Sequence, residues 1–424
     1  MAVIVQKYGG TSVANTERIV NVARRIVATA QQGDQVCAVV SARGDTTDEL
    51  LAMAYEISER PPEREMDMLL SAGERISCAL LAMAIHTMGR EAVSFTGSQA
   101  GIITDNEHTR AKILDIRAFR VQEALESDRI VLVAGFQGVS TEKDVTTLGR
   151  GGSDTTAVAL AHALGAGVCE IYTDVEGVYT ANPAIVEKAR KLDTVSYEEM
   201  LEMAASGAQV LALRSVEYAR RHKVKIHVRS SFTDAPGTWV REEDATMEQP
   251  LISGVTYSVD QAKVTLRGVP DHPGVAAQVF NALAEAQINI DMIIQNVGEQ
   301  GHSDISVTMP LDDMRSAAEA LDRIVEELGA REYVFDNGIA LVSLVGAGMR
   351  SHPGVAALMF KTLADRGINL DMISTSPIKI ACIIAKDRVV EAVRALHDAF
   401  ELENGAVTLE TADRGVGRGV NPSL

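Results

Sequence analysis

The chain has 424 residues, too many for one ordinary domain, and its 46% apolar share is enough for two or three packed cores. A formal charge of −18, from 58 acidic against 40 basic residues, argues against nucleic acid or an anionic membrane as the main partner. Any site for an anionic ligand must then create its positive potential locally.

The opening MAVIVQKYGG lacks the basic segment and long apolar run of a signal peptide, and no uninterrupted apolar run reaches the ~20 residues of a membrane span. AVIVQ (2–6) reads as a buried strand, followed by a glycine turn and a helix over 16–32. QVCAVVSA (35–42) is a second strand. Thr46 and Glu49 in DTTDELL fit a capping box that opens the next helix. Residues 64–89 carry apolar side chains at three- and four-residue spacing, which predicts one helix. IVLVAGFQG (130–138) is a strand entering a glycine loop, 155–166 is a helix, and 168–180 is a strand that leaves into a loop. Residues 214–231 read as helix then strand, with the basic run RRHKVK (220–225) on a solvated face. This alternation implies a mostly parallel sheet with helices on both faces. The stretch 233–250 is acidic, holds Pro236, Pro250 and the only tryptophan, Trp239, and reads as a domain boundary.

Beyond it, HPGVAAQVFNALAEAQINIDMI (272–293) recurs as HPGVAALMFKTLADRGINLDMI (352–373), 80 residues on. Each copy lies between apolar strands, so each predicts a small strand–helix–strand–strand–helix–strand module. The last dozen residues are Gly-rich and without periodicity, and a loose tail is expected there. The expected division is 1–245, 246–337, 338–412 and a tail 413–424. Cys37, Cys78, Cys169 and Cys382 are scattered through apolar runs with no C-x-x-C pair, the pattern of reduced buried thiols in a cytoplasmic protein.

Familiar nucleotide motifs are missing: there is no G-x-x-x-x-G-K-[ST] and no G-x-G-x-x-G. Zinc spacings are missing too, and no metal is expected from protein ligands. Two glycine loops remain, KYGGTS (7–12) and GRGGSD (149–154), both at expected strand ends. Such ends bind ligands in open α/β sheets. Each loop reads either as a tight turn before a helix or as an anion cradle. Lys7 is either a solvated lysine leaving a strand or an ammonium beside a phosphoryl group. Arg150 has the fork for a carboxylate. Glu74 is either a helix-surface charge near Arg64 and Arg75 or a carboxylate that receives an ammonium. Asp174 either starts a turn or holds a sugar or base.

QKYGGTS (6–12), EMDMLLSAGERIS (65–77), SFTGSQAG (94–101), VAGFQG (133–138), TTLGRGGSDTTAVALA (146–161), YTDVEGVYT (172–180) and RSVEYAR (214–220) closely resemble the aspartate kinases. The match runs from Val3 to about Phe400 and resembles the actinobacterial type regulated by lysine and threonine. The resemblance implies an α/β three-layer αβα sandwich, the amino-acid-kinase fold, followed by two ferredoxin-like βαββαβ ACT domains. It implies phosphoryl transfer from MgATP to the side-chain carboxylate of L-aspartate. Lys7, Tyr8, Gly9, Gly10 and Ser41, with Thr173, Asp174 and Tyr179, would hold the nucleotide. Thr47, Glu74, Arg150, Gly151, Gly152, Ser153 and Asp154 would hold aspartate, with Lys7, Glu74 and Asp154 in catalysis.

The ACT modules imply effector lysine or threonine, and assembly into a homo-oligomer. Asp271, Gly274, Val275, Ala276, Asn289, Ile290, Asp291 and Gln295 would line one effector site. Val355, Ala356, Asn369, Leu370 and Ser376 would line the second. Met247 stands where some relatives start a separate regulatory subunit. The chain departs from the family at Arg43, where a small or apolar residue is usual, and at Asn182 and Ala184, where TADPR is common. It departs also at Gly298 and at Pro377 in the ACT loops. Two alternatives stay open: a same-fold kinase of an aspartate analogue, and a catalytically weak amino-acid sensor.

Overall fold

The structure is a computed structural model and describes residues 2–243, 251–296, 301–352 and 354–405. Met247, Gly298 and the tail lie outside these residues. The chain forms two compact units. One holds the chain up to Tyr179, Lys191–Ala205 and the residues from Gln209 to the boundary stretch. The other holds Thr180–Arg190, Ser206–Ala208 and the described residues from Leu251 onward.

In the first unit β1 (Val3–Tyr8), a 3-10 turn (Gly10–Val13), α1 (Thr16–Gln31) and β2 (Gln35–Val40) open the chain. Then come α2 (Thr46–Ile57), α3 (Glu63–Leu70), α4 (Ala72–Thr87), β3 (Ala92–Phe95), β4 (Ile102–Thr104) and β5 (Ile113–Ile116). Next are α5 (Phe119–Glu126), β6 (Ile130–Ala134), β7 (Gln137–Ser140), β8 (Val145–Thr147), α6 (Gly152–Ala163) and β9 (Val168–Thr173). β10 (Thr194–Ser196), α7 (Tyr197–Ala205), α8 (Leu213–His222), β11 (Ile226–Ser230) and β12 (Thr238–Arg241) complete it.

The main sheet has the order β10-β12-β11-β9-β1-β2-β6-β3, and β5-β4-β7-β8 form a smaller one. β1 runs parallel to both β2 and β9, so the strand ends that bear Lys7, Ser41 and Thr173 open on one edge. Ile19, Val22 and Ile26 of α1 and Leu81 and Ile85 of α4 pack on one face of β2 and β6. On the other side α6 is buried along Gly152–Ala161, so the sheet lies between helical layers. The α/β three-layer expectation matches what is built.

Three local readings change. Thr46 is the first helical residue rather than a cap, and its hydroxyl donates to Arg43 O at 2.6 Å; Glu49 N bonds to Asp45 O instead of a threonine side chain. The helix expected over 64–89 breaks at Ser71, whose carbonyl accepts from Gln137 Nε2 at 2.9 Å. Its two halves together, 63–87, are long and apolar enough to cross a membrane, although half of that stretch is buried inside the protein. Buried Asp67 and Glu74 mark it as a core helix. Finally, Trp239 lies not in a linker but in β12, antiparallel to β11, with its ring stacked on His227 at 4.0 Å.

The second unit contains β13 (Gly254–Ser258), β14 (Gln261–Pro270), α9 (Val275–Glu285), β15 (Ile293–Asn296), β16 (His302–Pro310), α10 (Met314–Leu328) and β17 (Glu332–Asp336). β18 (Ile339–Val345), α11 (Val355–Asp365), β19 (Met372–Ser376), β20 (Lys379–Ala385) and α12 (Val389–Ala399) follow. The first repeat builds the sheet β15-β16-β14-β17, a βαββαβ module in chain order. The second builds β13-β18-β20-β19, in which β13 takes the place that β17 holds in the first. A strand from before the first module thus completes the second, and the residues that would follow α12 as a closing strand lie outside the described ones.

Thr180–Arg190 also belongs to this unit: Ala181 and Val186 join the core of Val255, Val342, Leu396 and Phe400. The buried Thr180 hydroxyl accepts from Arg190 N at 2.9 Å and lies 3.0 Å from His397 Nε2. Asn182 is satisfied locally, with Oδ1 accepting from Ala184 N and Nδ2 donating to the Tyr257 hydroxyl.

Candidate active site

Lys7, the penultimate residue of β1, has Nζ 2.6 Å from Asp154 Oδ1, and both side chains are nearly buried. The solvated-lysine reading therefore fails. A cation held in a shielded place against one carboxylate interacts more strongly than it would in water, and its direction is fixed. Asp154 lies in the first turn of α6, where the helix dipole favours an anion.

The turn into α6 is made by Gly151, with φ 75°, where a side chain would be strained. A Cβ there would stand 2.2 Å from Ala212 Cβ, so glycine is also the only residue that fits against α8. Arg150, one residue earlier, is exposed. Gly152 and Ser153 are buried, with Phe136 packed against Gly152.

Glu74 is 3% exposed, which removes the helix-surface reading. One carboxylate oxygen, Oε1, accepts from Ala42 N at 3.1 Å, while buried Oε2 has no partner among the described residues. Burial pushes its carboxyl up to about 7 despite that backbone bond. An isolated buried carboxylate is costly, and a cation supplied by a ligand would relieve it. Thr47 and Ser41, both half-buried, flank the same strand end.

On the nucleotide side, Gly9 N bonds to Tyr172 O at 3.3 Å, so its amide is not open to a phosphate. What Gly9 offers is space, since a Cβ would stand 3.5 Å from Lys7 Nζ. Gly10 leaves room for the carbonyl of Ala42, 2.9 Å from where its Cβ would be. Tyr8 is fully buried, stacked on Tyr172 at 4.8 Å, so its ring supports the strand rather than facing a ligand. Asp174 is exposed and accepts from Thr173 Oγ1, and Tyr179 is half-buried. Arg43 does not point freely into the site, because its Nε donates to Ala14 O at 3.0 Å.

Sequence reading passed over Phe136, a bulky residue at φ 67° whose carbonyl accepts from Leu148 N. Such a conformation is costly and clusters at functional sites. VAGFQG carried the signal only as a motif. It also missed Ser12 and Ser231, whose hydroxyls meet at 2.6 Å across the strand ends.

In the second unit Gly274 and Gly354 start α9 and α11 with φ of 101° and 108°, so the repeat has one geometry twice. Val275 and Val355 turn into hydrophobic cores and can offer an effector only their backbone. Ala276 and Ala356 are half-buried. Asp271 N bonds to Gly301 O. Asn289, Asn369 and Gln295 are exposed, while Ile290, Leu370 and Ser376 are half-buried. Asp291 accepts from Gln261 Nε2 and its repeat counterpart Asp371 from Lys263 Nζ, so the two loops are tied down differently. Among the described residues no group of three or more His, Cys, Asp or Glu side chains could hold a metal ion.

The sequence pattern of the Amino acid kinase family matches residues 2–230, and that of the ACT domain matches 264–324 and 342–400. The aspartokinase of Mycobacterium tuberculosis is 57% identical over 423 residues, covering 99% of this chain and 100% of its own. E. coli aspartokinase III in complex with aspartate and ADP (R-state) superposes with a TM-score of 0.82 at 26% identity, covering 94% of this chain and 100% of that one. The same enzyme in complex with lysine and aspartate (T-state) gives a TM-score of 0.70 at 26% identity, covering 93% and 99%.

Proposed function

This chain belongs to the amino acid kinase family as an aspartokinase with ACT domains, and from that premise we propose how its residues divide the work of phosphorylating aspartate with ATP. The observation that carries the assignment is the pair of poised charges: a shielded ammonium on Lys7 and a buried Glu74 oxygen with no partner among the described residues.

Glu74 receives the substrate ammonium, Arg150 pairs with the α-carboxylate, and Thr47 with the Gly151–Asp154 turn closes around the rest. The β-carboxylate is ionised at neutral pH and needs no general base. Its difficulty is approach to an anionic triphosphate. Lys7, aimed by Asp154, offsets that repulsion on the transferring phosphoryl group while Ser41 and Gly10 shape the strand end around it. Thr173, Asp174 and Tyr179 hold the nucleotide. Catalysis is then positioning and charge stabilisation. Mg²⁺ bound with the ATP phosphates would neutralise part of their charge.

The repeated Gly274 and Gly354 helix starts support amino-acid effectors, lysine or threonine, in the second unit. Homo-oligomer formation through the ACT modules, a separate regulatory subunit started at Met247, and a cytoplasmic location belong to the same reading.

The test uses full-length protein with MgATP, L-aspartate and hydroxylamine, and measures aspartyl hydroxamate. Glutamate and N-acetylglutamate replace aspartate in parallel. Hydroxamate should form from aspartate alone and fall at least ~10³-fold in Lys7→Ala, the scale of losing a preorganised charge in a phosphoryl-transfer site. Undiminished hydroxamate in that variant would remove Lys7 from the mechanism.

A further inference from the structure

Arg214 opens the first full turn of α8, and its guanidinium touches no carboxylate: among the described residues it forms no ion pair. Instead it donates to Leu148 O at 2.6 Å and Ala111 O at 3.0 Å. These two carbonyls belong to chain segments that are themselves joined, since Ala111 N bonds to Thr147 O at 2.9 Å. Burial lowers the Arg214 pKa, while the charges of Asp105 and Glu217 act in the opposite direction.

Asp67 grips the same two segments from a second helix. It is fully buried on α3 and accepts from His108 Nδ1 at 2.6 Å, Thr109 N at 3.1 Å and Thr147 Oγ1 at 2.5 Å. Residues 108–111 and 147–148 are thus held between a buried carboxylate and a half-buried guanidinium. Gly149 then turns the chain, with Thr109 O only 3.1 Å from where its Cβ would be, and the next residue is Arg150.

Neither Arg214 nor Asp67 has a polar contact with the Lys7, Glu74 or Asp154 side chains, yet both fix the backbone from which Arg150 departs. We propose that Arg214 and Asp67 are positioning residues that set the reach of Arg150 and thereby the affinity for the amino-acid substrate. The inference rests on the reading that the 149–154 loop holds aspartate. A guanidinium on an unrestrained loop would lose orientational entropy with each binding event, and a clamp removes that cost beforehand. Two neutral carbonyls would require only one donor each from any polar side chain; the planar fork of arginine spans both at once.

Full-length Arg214→Met, Arg214→Lys, Asp67→Asn and His108→Gln are compared with Arg150→Ala, with aspartate and MgATP varied separately. Arg214→Met and Asp67→Asn should raise KM for aspartate about tenfold while KM for ATP moves less than about twofold. Arg214→Lys, with one ammonium for two carbonyls, should recover only part of this. His108→Gln, which strips a single partner from Asp67 at a partly exposed position, gives a smaller rise and serves if the bolder variants do not fold. Arg214→Met in the Arg150→Ala background should add little, because both act through one contact.

Additive effects, or equal rises in both KM values, would overturn the clamp and leave a merely structural bond. If Arg150→Ala itself leaves aspartate KM unchanged, the assignment of the loop fails instead. If Arg150→Ala raises it and neither Arg214→Met nor His108→Gln does, only the clamp fails.

Discussion

Glu74 shows at the level of one residue how function is carried against stability. Its carboxyl, pushed up to about 7 by burial, stays protonated in the folded chain between its ordinary value of 4.5 and 7, where the unfolded chain has already ionised. Ionisation therefore destabilises the fold progressively through that window, and the full cost persists above it. Glu74→Gln should raise the melting temperature at pH 8 and leave it nearly unchanged at pH 4.5, with a gain of up to about 3 kcal/mol. Thermal unfolding at the two pH values reads this directly. The same variant should raise KM for aspartate at least about tenfold, since a neutral amide can accept a hydrogen bond from an ammonium but cannot form an ion pair with it. In the unaltered enzyme KM for aspartate should climb as pH falls below about 7, and this slope should vanish in the variant. A flat wild-type profile would remove Glu74 from the substrate site.

At the scale of elements, the turn between β8 and α6 depends on a backbone that only glycine accommodates. Gly151→Ala meets both a left-handed φ of 75° and Ala212 Cβ at 2.2 Å. Unfolding free energy should drop by about 1–3 kcal/mol, and aspartate KM should rise more than ATP KM. A neutral outcome in both would show that α8 yields freely. The sequence displayed the glycines and the charges of this turn but not their neighbours. Ala212 arrives from 61 residues later in the chain, and nothing in GRGGSD announces it. Lys7 and Glu74 were ambiguous for the same reason. A lone lysine or glutamate in a sequence has no visible partner, and Asp154 and the Ala42 amide reach these two only through tertiary packing. Trp239 was misplaced because Pro236 and the acidic run 242–244 look like a linker on both sides of a four-residue strand.

Over the whole molecule, periodicity revealed the strand–helix alternation and the 80-residue repeat, since both are encoded locally. It could not reveal that Thr180–Arg190 packs into the core of the second unit, because that exchange is decided by tertiary contacts alone. The pin of this segment is His397, whose Nε2 faces the Thr180 hydroxyl. Burial lowers its pKa, with Lys188 adding to the effect and Asp398 and Glu403 opposing it. The folded chain keeps this ring neutral while the unfolded chain begins to protonate near 6.5, so its stability contribution is intact above that pH and is lost as pH falls below it. His397→Gln, which preserves a hydrogen-bonding side chain without the titration, should flatten the fall in melting temperature between pH 7 and 5. An unchanged fall would place the acid sensitivity elsewhere.

The strand borrowed from ahead of the first repeat imposes an order on biosynthesis. Gly254 must pair with Val345, and the whole first module lies between them. At roughly 5–20 residues per second, β13 leaves the ribosome about 5–20 s before β18 is available. The first module can close while it waits, having all its own strands, but the second cannot. A nascent chain therefore carries for several seconds an apolar strand with unmet hydrogen bonds, the kind of edge that recruits chaperones or another copy of itself. Slow codons after the first module would lengthen that exposure, so the gene is expected to pass quickly through this stretch.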